Sequence, residues 1–212
     1  AVPGTTDQVD LNINVTEKST GSVLFGAGLS SSDGVVVGVT VNQANFLGTG
    51  NSVNLAVNTG KTNTTYALGY TDPYFTPDGI SRGFDVYRRD VDTTSLDTGS
   101  YKTSSYGAGV RFGIPLAEHA FLNAGLTFDY TTIDLTGDSL PRYQQFCGDP
   151  TGCNTTSLVL NLGWTSDTRD NLLFPSKGVL QRLTGEMGLP GLDLEYYKIG
   201  YKHTWYKDVT KK

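Results

Sequence analysis

The sequence predicts an all-β protein, an antiparallel transmembrane β-barrel, on three observations. From residue 22 onward, apolar residues recur at every second position through long segments. A two-residue period puts them on one face of an extended chain. Several segments reach the roughly 9–11 residues that a tilted strand needs to cross a bilayer, longer than the ~5–6 usual in soluble sheets. The second observation is the aromatics. Tyr66, Tyr70, Tyr106, Tyr130, Trp164, Tyr197, Tyr201 and Trp205 lie on the apolar faces, mostly toward segment ends, where interfacial girdles fall. Third, connection lengths alternate: 45–50, 75–79, 116–119 and 171–178 are short, 92–102 and 136–154 long. Short periplasmic turns with long extracellular loops are the outer-membrane pattern. A soluble sandwich is the alternative, since alternation alone does not say which face is inside. Girdles and loop lengths favour the barrel.

The elements follow in order. Residues 22–32 place Val23, Phe25, Ala27 and Leu29 on one face and Gly26 and Gly28 on the other. After Ser32-Asp33-Gly34 comes 35–44, where Val35, Val37, Val39 and Val41 alternate with Val36, Gly38, Thr40 and Asn42. Leu47-Gly48-Thr49-Gly50 precedes 51–60, then 64–74 carries Tyr66 and Tyr70, and Pro77-Asp78-Gly79 precedes 80–92. In 103–115, Tyr106, Ala108, Val110, Phe112 and Ile114 share a face; in 120–135, Leu122, Ala124, Leu126, Phe128 and Tyr130 do. Leu158, Leu160, Leu162 and Trp164 mark 155–168, and Pro175-Ser176-Lys177-Gly178 leads into 179–189 and then 194–208. Glycine, proline, Asn and Asp punctuate these runs as turns. No stretch of comparable length carries a 3.6-residue period.

Composition agrees. Only 17% of side chains are charged, with Gly 26, Tyr 12 and Phe 9. A mean hydropathy of -0.25 looks soluble, but in a barrel lipid-facing and lumenal residues average out. There is no apolar run of about 18 residues to form a membrane helix. A net charge of -5 argues against nucleic acid as partner, because phosphate binding needs clustered Lys and Arg.

Residues 1–20 read differently. Val9, Leu11, Ile13 and Val15 alternate with Asp10, Asn12, Asn14 and Thr16, predicting one strand before the polar Glu17-Lys18-Ser19-Thr20-Gly21. One strand cannot bury its own apolar face, so 1–20 is expected to end a preceding soluble domain. No secretory leader is read at Ala1, and the chain is expected to be an excised or processed piece. Cys147 and Cys153 bracket Gly148-Asp149-Pro150-Thr151-Gly152 without a His or Cys cluster. A disulfide closing a Gly/Pro loop in an oxidising compartment is the preferred reading, free thiols the alternative, and no metal is expected.

Val9 to Gly21, read as Val-Asp-Leu-Asn-Ile-Asn-Val-Thr-Glu-Lys-Ser-Thr-Gly, resembles the end of the last periplasmic POTRA domain of the BamA family of barrel-assembly proteins. Phe25-Gly26-Ala27-Gly28-Leu29, Asn45-Phe46-Leu47-Gly48-Thr49-Gly50 and Thr71-Asp72-Pro73-Tyr74-Phe75-Thr76-Pro77-Asp78-Gly79 are similar to the start of that family's barrel. Gly163-Trp164, Asp167-Thr168-Arg169-Asp170 and Phe174-Pro175-Ser176-Lys177-Gly178 resemble the turn after its eighth strand. The likeness runs through the whole chain in order.

The resemblance implies a sixteen-stranded outer-membrane barrel that folds and inserts other barrels. Its first and last strands pair poorly and part as a lateral gate. Residues 1–20 would then be the end of a POTRA domain and linker, and 21–212 the N-terminal part of the barrel, about ten strands. About six C-terminal strands, the loop-six Arg-Gly-Phe motif and the closing strand fall outside this sequence. Ser81-Arg82-Gly83-Phe84 follows a short turn rather than a long loop, so the motif's role is not transferred to Arg82. Implied partners are outer-membrane lipids, unfolded client barrels and accessory lipoproteins, the last mostly through POTRA domains.

The candidate site is the first strand: Val23, Leu24, Phe25, Gly26, Ala27, Gly28, Leu29 and Ser30. An unclosed edge is a template for β-augmentation by a partner's main chain, and glycines weaken its own pairing. The residues alone leave a second reading open, in which inward glycines only make room in the lumen. No catalytic constellation is expected, so the chain is not read as an enzyme, and no cofactor is implied. His119 and His203 have no orienting carboxylate in sequence, and Asp167, Arg169 and Asp170 read as a charged turn. Leu47-Gly48-Thr49-Gly50 has no following helix to cradle phosphate. Arg111, Asp129, Arg182 and Glu186 are expected in the lumen, paired or hydrated. A polypeptide-exporting or autotransporter-assembly sibling and a passive porin remain alternatives. For a porin, the loop 136–154 holds few charges (Asp138, Arg142 and Asp149) to form a constriction.

Overall fold

The computed structural model describes Leu11 and residues 14–16, 18–31, 33–94, 101–137 and 139–208. Ten strands form one sheet: β1 (Gly21–Ser30), β2 (Gly34–Gln43), β3 (Ser52–Thr59), β4 (Asn63–Asp72), β5 (Ser81–Asp92), β6 (Tyr101–Ala117), β7 (Ala120–Leu135), β8 (Gly152–Asp167), β9 (Gly178–Gly188) and β10 (Tyr196–Tyr206). They are ordered as in sequence, each antiparallel to the next, leaving β1 and β10 as the two edges. Every strand predicted from residue 22 onward is present. The strand expected within 9–16 lies partly outside the described residues, and its described members, Leu11 and 14–16, carry no regular structure.

The two faces are chemically opposite. One carries Val23, Phe25, Val39, Leu55, Leu68, Val86, Val110, Leu126, Leu160, Leu183 and Ile199, joined into cross-strand rows by the register. The other carries Asn42, Asn54, Thr71, Asp85, Arg111, Thr127, Asn161, Glu186 and Lys198. The polar face is the concave one. On it, Arg111 of β6 reaches over β5 to Thr71 of β4 at 2.6 Å, and the Tyr87 hydroxyl on β5 reaches over β6 to Asp129 on β7. Contacts that skip a strand require side chains to converge. Among the described residues Leu135 is the one buried apolar side chain, while Thr62, Ser139, Thr155 and Ser157 are buried polar ones. The apolar surface therefore points outward, opposite to a soluble sandwich.

One hairpin illustrates how the concave wall is built. A Cβ on Gly107 would collide with the Tyr87 ring, so the absent side chain leaves the slot in which that ring lies on its way to Asp129.

Two features depart from the sequence reading. The long β7–β8 connection contains a short helix, α1 (Pro141–Cys147), with Pro141 in its first turn and Gly148 closing it at φ 68. Seven residues are too few to display a helical period, so local stop signals and not periodicity define it. The division into short and long connections is also less clean than expected. The very tight β1–β2 and β3–β4 hairpins share an end with the long loops, and the β8–β9 connection, 168–177, is extended.

Candidate functional site

The candidate site is the free long edge of β1. Both of its faces are open: Val23 is 70%, Phe25 72% and Leu29 87% exposed on the apolar face, and Leu24 is 64% exposed on the concave one. Its pairing with β2 runs from Gly21↔Gln43 to Ser30↔Gly34.

The orientation of the main chain follows from the bonds around this hairpin. Ala44 N–H donates to the Thr20 carbonyl at 2.9 Å, so Thr20 and Ala44 form a hydrogen-bonded pair. Bonded and non-bonded pairs alternate in an antiparallel ladder. The bonded pairs are therefore Ser22/Asn42, Leu24/Thr40, Gly26/Gly38, Gly28/Val36 and Ser30/Gly34. The other side of β2 gives the same parity: Asn45 N–H donates to Asn51 O at 3.1 Å, assigning odd residues of β2 to β3 and even ones to β1. Consequently the N–H and C=O groups of Val23, Phe25, Ala27 and Leu29 point away from β2, into the open edge. Sequence gave the faces of this strand but no signal for its amide parity.

The glycines stand in open space. Among the described residues, nothing lies within 4 Å of where a Cβ would sit on Gly26 or Gly28. No described neighbour needs the room they leave, unlike Gly107 under Tyr87. The bare strip thus reduces side-chain cover over the edge without serving packing within this sheet.

The other singled-out residues lie apart from this edge. Cys147 and Cys153 are disulfide-bonded with Cα atoms 5.2 Å apart, tying the end of α1 to the start of β8. His119 is exposed in the β6–β7 turn, its carbonyl accepting from Asp167 N–H at 2.9 Å. His203 is exposed beside Tyr201 on β10. Arg169 grips Asp167 with two bonds of 2.8 and 2.6 Å. Asp170 accepts from Ser176 Oγ at 2.5 Å and from the Ser176 and Lys177 amides at 2.9 and 3.0 Å. These donors, the Ser176 hydroxyl foremost, hold its carboxyl below the usual range. The cluster is a braced turn at one rim of the sheet. Of the lumenal charges, Arg111 pairs with Asp85, Asp129 accepts from Tyr87, and Glu186 accepts from Tyr196 at 2.7 Å. Arg182 lines a concave cavity of about 600 Å³ with Arg111, Glu186 and Lys198. Arg82 is on the opposite, convex face, beside Asp72 at 3.9 Å.

Comparison with known proteins places this geometry among relatives. The Omp85 superfamily domain matches residues 45–212. The outer membrane protein assembly factor BamA of Neisseria meningitidis serogroup B is 36% identical over 222 residues, covering 100% of this chain and 28% of that protein. BamA of Nitratidesulfovibrio vulgaris is 28% identical over 184 residues, covering 86% and 22%. The crystal structure of BamA from Haemophilus ducreyi lacking POTRA domains 1–3 matches with TM-score 0.76 at 30% identity, over 94% of this chain and 40% of that one. The chain thus spans between a fifth and a third of the curated relatives' length.

Proposed function

The chain belongs to the Omp85 superfamily, and from that premise we propose that it serves the assembly and insertion of β-barrel proteins into the bacterial outer membrane, with the free edge of β1 pairing to strands of client barrels. In this reading residues 21–212 are the N-terminal part of the barrel and 1–20 the end of a periplasmic POTRA domain with its linker. Unfolded clients, outer-membrane lipids and accessory lipoproteins are its partners, and the work is done by main-chain pairing without a catalytic residue.

The observation that carries the proposal is the row of outward amides at Val23, Phe25, Ala27 and Leu29 on a strand whose Gly26 and Gly28 meet no described neighbour. Such an edge offers hydrogen bonds to any extended chain regardless of its side chains. In water-poor surroundings those groups gain strongly from a partner, because a bilayer supplies none. Kinship with proteins named as assembly factors supports the same reading.

The test uses the full-length protein in cells, with a photocrosslinking amino acid at Ala27 and, as control, at Val57, which lies on the same face but in the interior strand β3. A client arrested during assembly should be captured from Ala27 and not from Val57. Equal capture from both would reject edge docking, and steady liposome conductance of the folded protein without client assembly would favour a porin.

A further inference from the structure

Arg82 occupies a position that the assembly reading leaves unexplained. It lies on the lipid-facing side of β5, across from Asp72 on β4 and Phe112 on β6. Its guanidinium stacks on the Phe75 ring at 3.9 Å and stands 5.4 Å from that of Phe84. Phe75 in turn packs on Phe112, and Phe84 on Tyr70, each with ring centroids 6.5 Å apart. The Arg82–Asp72 contact of 3.9 Å is too long for a hydrogen bond, and the Arg82 Nε–H has no hydrogen-bond partner among the described residues.

A cation on the lipid face of a barrel is costly near the midplane and is tolerated near the interface. Arg82 is one residue inside the start of β5, next to the turn before it, so it sits at the end of the apolar band. There it does not reach out to water alone: aromatic rings flank it, and a carboxylate stands beside it without a hydrogen bond between them. Opposite charges held this loosely between apolar walls match a ligand that itself carries both charges. We propose that Asp72, Phe75, Arg82 and Phe84 form a binding site for the headgroup of a zwitterionic phospholipid, phosphate on Arg82 and free ammonium on Asp72. The rings receive the glycerol and upper acyl chain. Arginine suits this task because its planar fork pairs with phosphate while its face stacks on an aromatic ring.

The inference rests on the membrane-barrel placement and not on the assembly activity. The full-length protein is reconstituted in bilayers of equal parts phosphatidylethanolamine, phosphatidylcholine and phosphatidylglycerol, released in mild detergent, and its retained lipids are weighed by native mass spectrometry. Wild type should retain phosphatidylethanolamine over the other two. R82L should lower that retention about tenfold or more, the scale of a lost charge-assisted hydrogen bond. D72N should keep phospholipid but lose the preference for a free ammonium over a methylated one. Heat-modifiable electrophoretic mobility establishes that each variant is folded, and R82K, which keeps charge without the fork, should fall between. Equal retention by wild type and R82L would overturn the site, as would displacement of the lipid by inorganic phosphate, which would mark a free-anion site. Loss of lipid in R82L with client assembly intact supports the site independently of the assembly reading.

Discussion

Proline at Ala27 and proline at Gly26 should fail for different reasons, and the difference tests the assignment of the edge. Ala27 directs its N–H into the open edge, whereas Gly26 is in a bonded pair with Gly38 of β2. Ala27→Pro deletes one outward donor and leaves Gly26/Gly38 and Gly28/Val36 in place. A docked client loses a bond worth about 1 kcal/mol net and keeps an orphaned carbonyl costing about 1–3 kcal/mol more. The total of about 2–4 kcal/mol is on the order of a hundredfold in docking affinity. Gly26→Pro instead breaks a rung of the β1–β2 ladder, so the damage falls on the barrel itself. Ala27→Val keeps the donor and presents its side chain to lipid, so it should change stability by no more than about 0.5 kcal/mol. The assay is client assembly in cells depleted of the native protein, with heat-modifiable mobility reporting whether each barrel is folded. The expected pattern is a folded but inactive Ala27→Pro, an active Ala27→Val and a poorly folded Gly26→Pro. A folded, fully active Ala27→Pro would refute the reasoning.

Four further outcomes are expected. Gly107→Val should push the Tyr87 ring from its slot and break its bond to Asp129, destabilising the barrel by about 1–3 kcal/mol in urea unfolding. Replacing Cys153 by Ser should loosen the β7–β8 connection, since the short closure contributes about 2 kcal/mol, and quicken its proteolysis while barrel unfolding stays unchanged. The β2–β3 and β3–β4 turns lie at opposite ends of the sheet, so in intact cells a cysteine at Lys61 should react with an impermeant reagent and one at Thr49 should not; reaction at both would undo the topology. Asp170 is held below its ordinary range by Ser176 and two amides. Its bracing is therefore complete above the unfolded carboxylate range and is lost as pH falls through the folded value. Protection of the Ser176 and Lys177 amides, taken relative to their intrinsic exchange rates at each pH, should fall in acid, and Asp170→Asn should flatten that dependence.

How far the sequence carries depends on the length scale of each feature. The strands were legible because the two-residue period persists over whole membrane crossings, and the register then follows from turns such as Pro77-Asp78-Gly79. The helix Pro141–Cys147 was not legible, because its definition lies in one proline, one left-handed glycine and a disulfide. Loop length was a weaker guide than it looked, since the tight β1–β2 and β3–β4 hairpins share an end with the long loops. At the candidate site the division of faces could be read from Val23, Phe25, Ala27 and Leu29. Amide direction could not, because it depends on which end of the ladder a bonded pair begins, here Thr20 with Ala44. Arg82 was legible as a strand residue just after a short turn, but its neighbours were not: the register sets it on the outward face beside Asp72.

The amide parity has a consequence for what the edge can select. The outward amides belong to the same residues whose side chains face lipid: Val23, Phe25, Ala27 and Leu29. In a sheet, directly opposed residues present their side chains to one face. On the proposed docking, a client strand on this edge must therefore set its own lipid-facing residues against these four, whichever way it runs. A slip of one residue would turn its apolar set toward the lumen and its polar set toward the acyl chains, which the bilayer penalises. A slip of two restores both. On the lumenal side the open strip at Gly26 and Gly28 holds no side chain against which a client's polar residues could be measured. On the proposed docking, the edge thus enforces alternation and is indifferent to sequence, which is the selectivity a site needs if it is to accept many different membrane strands.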